Sequence, residues 1–407
     1  MRVVLFTGKG GVGKTTLAAA TAALLARCGR KVLVVSTDPA HSLGDALDAD
    51  LGGEPTELEA GLSAAHVDTR SLLDGSWSRL RAHLGTMLAG AGVDELVADE
   101  LTVLPGVEDL LALGEVRRLA ETGLWEVVVV DCGPTAETLR LLGLPEAAST
   151  YLERLFPAHR RAVRGLIAGF AGARDAQPAW DRAVDALDAF AEQLRALRGL
   201  LADHATTSIR LVLTPERVVA AETRRTLTAL ALHGLNVDGL VANRLVPAAP
   251  SSLRGPAGRW LQERHTEQLA VLAELDGLPV PLRVVEHTAT EPTGLPALRE
   301  LAQSLYGADD PAPAPDGPAV PPLQVRRTAG SGTSPDSAFE LVLRLPGAAA
   351  GPLDITRIDD DLAVTAGGTR RMIALPSVLS RCTATGAHLE GDDLCVAFVP
   401  DPAVWLT

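Results

Sequence analysis

The chain opens on a short apolar run, RVVLF (2–6), that stops at Thr7 and a cluster of glycines. A continuous apolar run of this length is the pattern of a strand buried on both faces. From Lys14 to Cys28 the pattern becomes a long Ala/Leu-rich stretch closed by Gly29, which predicts a helix. KVLVVS (31–36) then gives a second buried-strand pattern. Strand, glycine loop, helix, strand is a βαβ unit, and it predicts a parallel sheet with helices on both faces. VVVVD (127–131), SIRLVLT (208–214), GLVAN (239–243) and PVPLRVV (279–285) repeat the strand pattern, with helical patterns between them. The expected fold class is α/β, a doubly wound and mainly parallel sheet.

Two stretches break that rhythm. Residues 71–124 and 146–203 show helical spacing without short strands, and are expected to be helical insertions that build a subdomain. In the second, Leu152, Leu155, Phe156, Val163, Leu166, Ile167 and Phe170 recur at roughly helical spacing, with Arg154, Arg160, Arg161 and Arg164 largely between them. Such a helix either packs its stripe on neighbours or offers it to a partner. Over 307–336 Pro, Gly and Ser dominate, the composition of an extended linker. Beyond it FELVLRLPG, LDITRIDDDLAVTAG, RRMIALP and AHLEGDDLCVAFVP alternate between turn residues. They predict a small antiparallel β-sandwich over 337–407, so the expected division is 1–306, a linker, and the sandwich.

Composition narrows the functions. At 407 residues the chain exceeds one ordinary core. Its formal charge of −14 argues against a general nucleic-acid binder, whose partner is a polyphosphate, so no nucleic-acid partner is expected. Cys28, Cys132, Cys382 and Cys395 form no CxxC pair, and their spacing indicates neither a disulfide framework nor a zinc site. The nine His make no HxH or HxxxH pair. MRVVLFTG meets glycines too soon for a secretion signal, and no apolar run approaches the roughly 18 residues a membrane helix needs. A cytoplasmic location is expected.

Basic residues carry a sharper signal. Of 37, only Lys9, Lys14 and Lys31 are lysine, and two of these stand in the glycine loop. A compact ammonium and a planar guanidinium are not interchangeable, so the loop calls for two point charges. Gly8-Lys9-Gly10-Gly11-Val12-Gly13-Lys14-Thr15 fits GxxxxGK[ST], after a strand and opening a helix, the context that a phosphate-binding loop requires. Its backbone N–H groups curl around phosphate oxygens, and the helix N-terminus adds partial positive charge. Lys14 would neutralise the β- and γ-phosphates of ATP, and Thr15 would ligate Mg²⁺. Asp131, ending VVVVD, is suited to hold that metal through water. Asp38, in STDPAHSLGD, is the candidate to orient or deprotonate the attacking water, although Asp-Pro is also a turn signal. Asn243, one of two Asn in the chain, either meets an adenine edge or simply ends its strand.

KGGVGKTT resembles the deviant Walker A loop, in which an extra lysine stands near the start, here Lys9. STDPAHSLGDAL and VVVVDCGPTAETLRLLGLP are similar to switch I and switch II of the ArsA family of ATPases. PGVEDLLALGEV (105–116), LTPERVVAAET (213–223), VANR (241–244) and PLRVVE (281–286) follow in family order, so the resemblance spans roughly residues 1–306. The tail resembles the small-heat-shock-protein-like domain appended to some bacterial members. The resemblance implies a Mg²⁺-dependent ATP hydrolase working as a homodimer. It assigns Gly8, Gly10, Gly11, Val12, Gly13, Lys14, Thr15 and Thr16 to the phosphates, Thr15 and Asp131 to the metal, and Asn243 and Pro281 to the nucleotide. Asp38 would act on the hydrolytic water and Lys9 on the partner subunit's ATP. The family includes an arsenite-pump ATPase and an ATPase that targets tail-anchored membrane proteins. It therefore implies a hydrophobic or membrane-protein client, with anion efflux or a positioning scaffold as alternatives. Cys132-Gly133 and Ala136-Glu137 depart from the family's usual switch II residues, and no interface CxxC follows Asn243.

Overall fold

A computed structural model describes residues 1–38, 42–68, 107–133, 189, 192–314 and 323–405. The core of both expected insertions, the switch II residues after Gly133 and the amphipathic pattern at 152–170 lie outside the described residues. Within them stand α3 (Val107–Glu121) and a helical segment over 192–202, the described ends of the insertions.

The strands β1 (Arg2–Gly8), β2 (Val32–Ser36), β3 (Thr56–Glu59), β4 (Leu62–His66), β5 (Val127–Asp131), β6 (Thr207–Leu213), β7 (Val237–Leu245) and β8 (Leu282–Glu286) form one sheet, ordered β3-β4-β2-β5-β1-β6-β7-β8. All neighbours are parallel except the β3–β4 pair at one edge. Every residue of β1, β2, β4, β5 and β6 is buried, and in β1, β2 and β5 that burial reads as nearly unbroken apolar runs. β3 and β4 escape a pattern reading because TELE is polar and LSAAH lacks β-branched residues.

The helices α1 (Lys14–Arg27), α2 (Ser42–Leu47), α4 (Arg217–Leu232), α5 (Pro256–Asp276) and α6 (Gly294–Tyr306) cover the sheet. Helix α1 is buried from Leu17 to Ala26, and its alanines let the sheet and α6 approach closely. Beneath it Arg210 pairs with Asp238 at 3.0 Å and donates to the Tyr306 hydroxyl at 2.8 Å. That hydroxyl also meets Thr21 of α1 at 2.8 Å. A wholly polar cluster thus ties α1, β6, β7 and α6 together, with each buried group satisfied.

In the tail, β9 (Leu323–Ala329), β10 (Ala338–Arg344), β14 (Cys382–Glu390) and β15 (Asp393–Pro400) make a sheet ordered β14-β15-β10-β9. It faces a second sheet of β11 (Asp354–Ile358), β12 (Asp361–Ala366) and β13 (Thr369–Ala374) across a core that includes Phe339, Leu341, Val364, Ile373, Val396 and Phe398. The expected linker is corrected at its C-terminal end. LQVRRTA is strand β9, paired with β10 and inside the stretch read as linker. Its arginines are those of a charge-blunted edge strand, which composition alone does not separate from a tether.

Nor does the sandwich hang free of the larger unit. Leu232, the last residue of α4, is fully buried in the sandwich core. Thr228 of α4 donates to the Pro346 carbonyl at 2.7 Å, and Arg371 donates to the Leu232 carbonyl. Gly367, at φ +60°, lies so close that a Cβ there would stand 2.5 Å from the Arg225 carbonyl. Leu232→Ala should therefore loosen the sandwich, by about 2–4 kcal/mol, read as an earlier urea transition of the tail.

Candidate nucleotide site

The C-terminal ends of β1, β2 and β5 converge, since all three run parallel and in register: Phe6 and Ser36 each stand beside Asp131. The loop 8–13 leaves β1 there and enters α1, whose N-terminal residue is Lys14. Two of its glycines are required by close approach. A Cβ on Gly8 (φ +153°) would lie 2.1 Å from the Val212 carbonyl, and one on Gly13 (φ +93°) 2.3 Å from the Asn243 amide nitrogen.

Asp131 is the centre of the cluster. Its carboxylate is completely buried, and Oδ2 accepts from the Thr15 hydroxyl at 2.8 Å and the Ser36 hydroxyl at 3.0 Å. The other oxygen, Oδ1, has no hydrogen-bond partner. Burial pushes the carboxyl up to about 6, against the lowering pull of both hydroxyls and of Lys14, while nearby Asp38 raises it further. Thr15 also meets Ser42, at the start of α2, at 3.2 Å. An orphaned buried carboxylate oxygen beside two hydroxyls is an all-oxygen donor set, the kind that suits a hard cation such as Mg²⁺.

The loop is braced from behind. Its amides can face phosphate only if its carbonyls point outward, and two of those carbonyls are held by the end of β7. Asn243 donates from Nδ2 to the Val12 carbonyl at 2.9 Å, and Arg244 donates to the Gly11 carbonyl at 3.0 Å. Asn243 Oδ1 accepts from the Arg244 backbone N–H at 2.9 Å, and Arg244 sits in the left-handed region at φ +62°. A strained non-glycine residue beside a phosphate loop is held there by its surroundings.

The two loop lysines diverge. Lys14 is buried and turns back to donate to the Lys9 carbonyl at 3.3 Å. Lys9 is about half exposed and reaches outward to Glu222 of α4, 3.3 Å away. Asp38 follows β2, half-buried, with its backbone N–H donated to Ser36 at 3.2 Å.

The structure therefore gathers Gly8, Lys9, Gly10, Gly11, Val12, Gly13, Lys14, Thr15, Thr16, Asp38, Asp131 and Asn243 at one end of the sheet. Pro281 is not brought there. It precedes β8, and its carbonyl accepts from Leu240 at 2.8 Å. Asn243 lies three residues further along β7, about 10 Å nearer the loop. Pro281 stands at the start of β8, and because β8 runs parallel to β7 toward the loop, that start lies behind the strand ends that face it. Ser36, Ser42, Glu222 and Arg244 escaped the sequence reading. Ser36 and Ser42 lie within or beside the quoted STDPAHS, and their hydroxyls were its unused signal. Glu222 and Arg244 had none beyond lying in LTPERVVAAET and VANR. Cys132 is fully buried, and burial pushes its thiol well above the usual range.

A family model described as an anion-transporting ATPase matches residues 1–307, and a model described as an HSP20-like domain found in ArsA matches residues 336–398. Protein Rv2184c of Mycobacterium tuberculosis is 43% identical over 425 residues, spanning 100% of this chain and 98% of its own. A putative arsenical pump-driving ATPase of Prosthecochloris vibrioformis is 33% identical, spanning 93% of this chain and 91% of its own. ATPase GET3 of Chaetomium globosum is 31% identical, spanning 70% and 86%.

The buried carboxylate predicts a pH dependence. Between the ordinary carboxylate value of about 4 and about 6, the folded chain keeps a proton that the unfolded chain has lost. This group therefore makes the nucleotide-free chain less stable as pH rises through that window, with no further change above it. Asp131→Asn should flatten that slope and stabilise the chain near pH 8 by on the order of 1–3 kcal/mol, while removing ATP hydrolysis. Thermal unfolding near pH 5 and near pH 8, for parent and variant, is the measurement.

Proposed function

The chain belongs to the ArsA family of ATPases and hydrolyses ATP, and on that premise we propose that it is a Mg²⁺-dependent, nucleotide-switched homodimer that handles a hydrophobic or membrane-protein client. The observation that carries the reading is the divergence of the two lysines. Lys14 is folded into its own loop, whereas Lys9 stands outward on the surface beside Glu222. This divergence supports one charge serving its own subunit and the other reaching a neighbour.

In this reading Lys14 binds the β- and γ-phosphates together with the amides of Gly10, Gly11, Val12 and Gly13 and the Thr15–Thr16 turn. Thr15 would ligate Mg²⁺, and Asp131 would support it through the oxygen left unpaired. The metal supplies charge neutralisation between the phosphates when bound. Asp38 orients the attacking water and takes its proton. Asn243 spends one amide hydrogen on Val12 and has a second for the adenine edge. Lys9 leaves Glu222 when two ATP-bound subunits close, and then meets the charge developing on the partner's γ-phosphate.

Arsenite efflux is the weaker reading, because soft metalloids favour clustered thiolates. Cys28 ends α1 and Cys132 follows β5, while Cys382 and Cys395 lie in the tail. Even there Cys395 opposes His388, six residues along β14 from Cys382. No helix among the described residues is long and apolar enough to cross a membrane. Hydrophobic peptides are expected to stimulate the ATPase and arsenite to leave it unchanged. Stimulation by arsenite that disappears on Cys→Ser replacement would reverse the ranking.

Lys9→Ala should retain ATP binding and lose turnover by about 10³–10⁵, the range for a charge supplied in trans. Asp38→Asn should bind ATP and hydrolyse it slowly. The decisive experiment mixes inactive Lys9→Ala with inactive Lys14→Ala subunits. A mixed dimer has one site with its own Lys14 and a partner's Lys9, so activity should return. Mixtures that stay inactive while forming dimers would sink the trans assignment.

A further inference from the structure

The tail contains a side-chain cluster that the nucleotide chemistry does not use. Glu340 of β10, His388 of β14 and Cys395 of β15 each offer a donor atom, and these atoms lie within 4.8 Å of one another. The sheet topology produces the cluster. β14, β15 and β10 are consecutive in the sheet, His388 stands directly opposite Cys395, and Glu340 opposes Ala397, two residues along β15. Phe339, Leu341, Leu394 and Val396 point into the sandwich core. By alternation Glu340 and Cys395 point to the opposite face. Cys395 is nonetheless fully buried there, with Glu340 half-buried and His388 exposed beside it.

Two features separate this trio from an ordinary cross-strand polar face. First, none of the three side chains makes a hydrogen bond or an ion pair with a described residue. Arg326 of β9 lies directly opposite Glu340 and could have neutralised it, yet the two form no ion pair. Second, the field around the thiol is negative: Glu340, Glu390 and Asp393 act on it against Arg326 alone. A thiol, an imidazole and a carboxylate left unpaired in a negative field form a donor set for a borderline-soft dication.

We propose that Glu340, His388 and Cys395 form a zinc-class metal site on the outer face of the sandwich, with water in the fourth position. One sulfur, one nitrogen and one oxygen donor suit tetrahedral Zn²⁺ better than Mg²⁺ or Ca²⁺, which take oxygen. Donors around tetrahedral Zn²⁺ stand about 3.5 Å apart, given bonds of roughly 2.0–2.3 Å. Closing from separations of up to 4.8 Å takes side-chain rotation of His388 and Glu340, neither of which is hydrogen-bonded or ion-paired to a described residue. An occupied site would cross-link three adjacent strands, two of which, β14 and β15, meet near the chain's C-terminal end. The spacing of these residues, 340, 388 and 395, matches no sequence motif, so only the sheet register reveals the cluster.

The test uses the full-length, nucleotide-free chain after chelation and dialysis, titrated with Co²⁺ and then Zn²⁺. The expected result is one Co²⁺ per chain, with the visible bands of tetrahedral cobalt and a near-ultraviolet thiolate charge-transfer band, displaced by Zn²⁺. Zn²⁺ should also raise the unfolding temperature of the tail. Cys395→Ser and His388→Ala should each weaken binding at least tenfold, since even outer-sphere partners of a metal carry 10–100-fold effects. Cys28→Ser, which removes the exposed thiol, should change nothing, and all three variants should keep the basal ATPase. His388 is exposed, so His388→Ala tests the site even where Cys395→Ser perturbs folding. Absence of the thiolate band, or a band unchanged in Cys395→Ser and His388→Ala, overturns the proposal.

Discussion

A single buried carboxylate organises the nucleotide end of this molecule. Asp131 stands where β5 ends, and it is reached from one side by Thr15 of α1 and from the other by Ser36 of β2. Burying a carboxylate without full compensation is costly, and the cost shows as a carboxyl lifted to about 6 with one oxygen unpaired. A buried carboxylate in that state is a candidate to be completed by a cation. The phosphate loop, the second strand and this buried acid are therefore one arrangement, set by three neighbouring parallel strands.

The loop itself works because its two sides have different partners. Amides that face phosphate leave carbonyls facing protein, and Asn243 and Arg244 take those of Val12 and Gly11. The required absence of side chains at Gly8 and Gly13 follows from the same crowding, by Val212 on β6's end and Asn243 on β7. Preorganisation of this kind means that nucleotide binding does not have to shape the loop. Arg244 accepts a left-handed backbone to make its contact, a local cost borne by the sheet that holds it.

Helix α4 connects this site to the tail. Glu222 in its second turn holds Lys9, and Leu232 at its end is part of the sandwich core. The exposed ion pair contributes little to stability and is easily exchanged. The buried leucine and the Thr228 and Arg371 hydrogen bonds make the other end a permanent junction. One rigid helix thus touches a labile contact and a fixed one.

The sequence by itself marked the sheet's central strands and the loop. Unbroken valine runs are legible because strands buried on both faces admit nothing else, and GKGGVGKT is legible because phosphate chemistry demands those residues at consecutive positions. Lys9, Lys14, Thr15, Asp38 and Asp131 are legible as candidates, since each sits at or just beyond a strand end or helix start that the pattern marks. What tertiary structure alone decided are contacts between residues far apart in the chain. Pro281 read as a nucleotide residue, whereas the pairing of β7 with β8 sets it at the start of β8, three residues short of Asn243's level. Strand β9 read as linker until its pairing with β10 revealed an edge. Ser42, Arg244 and Glu222 acquire partners only when the strands are ordered, and Glu340, His388 and Cys395 meet only through a cross-strand register. Local spacing carries chemistry held on one loop or one turn. Chemistry assembled across strands depends on which neighbours hydrogen bonding selects, and that choice belongs to the whole fold.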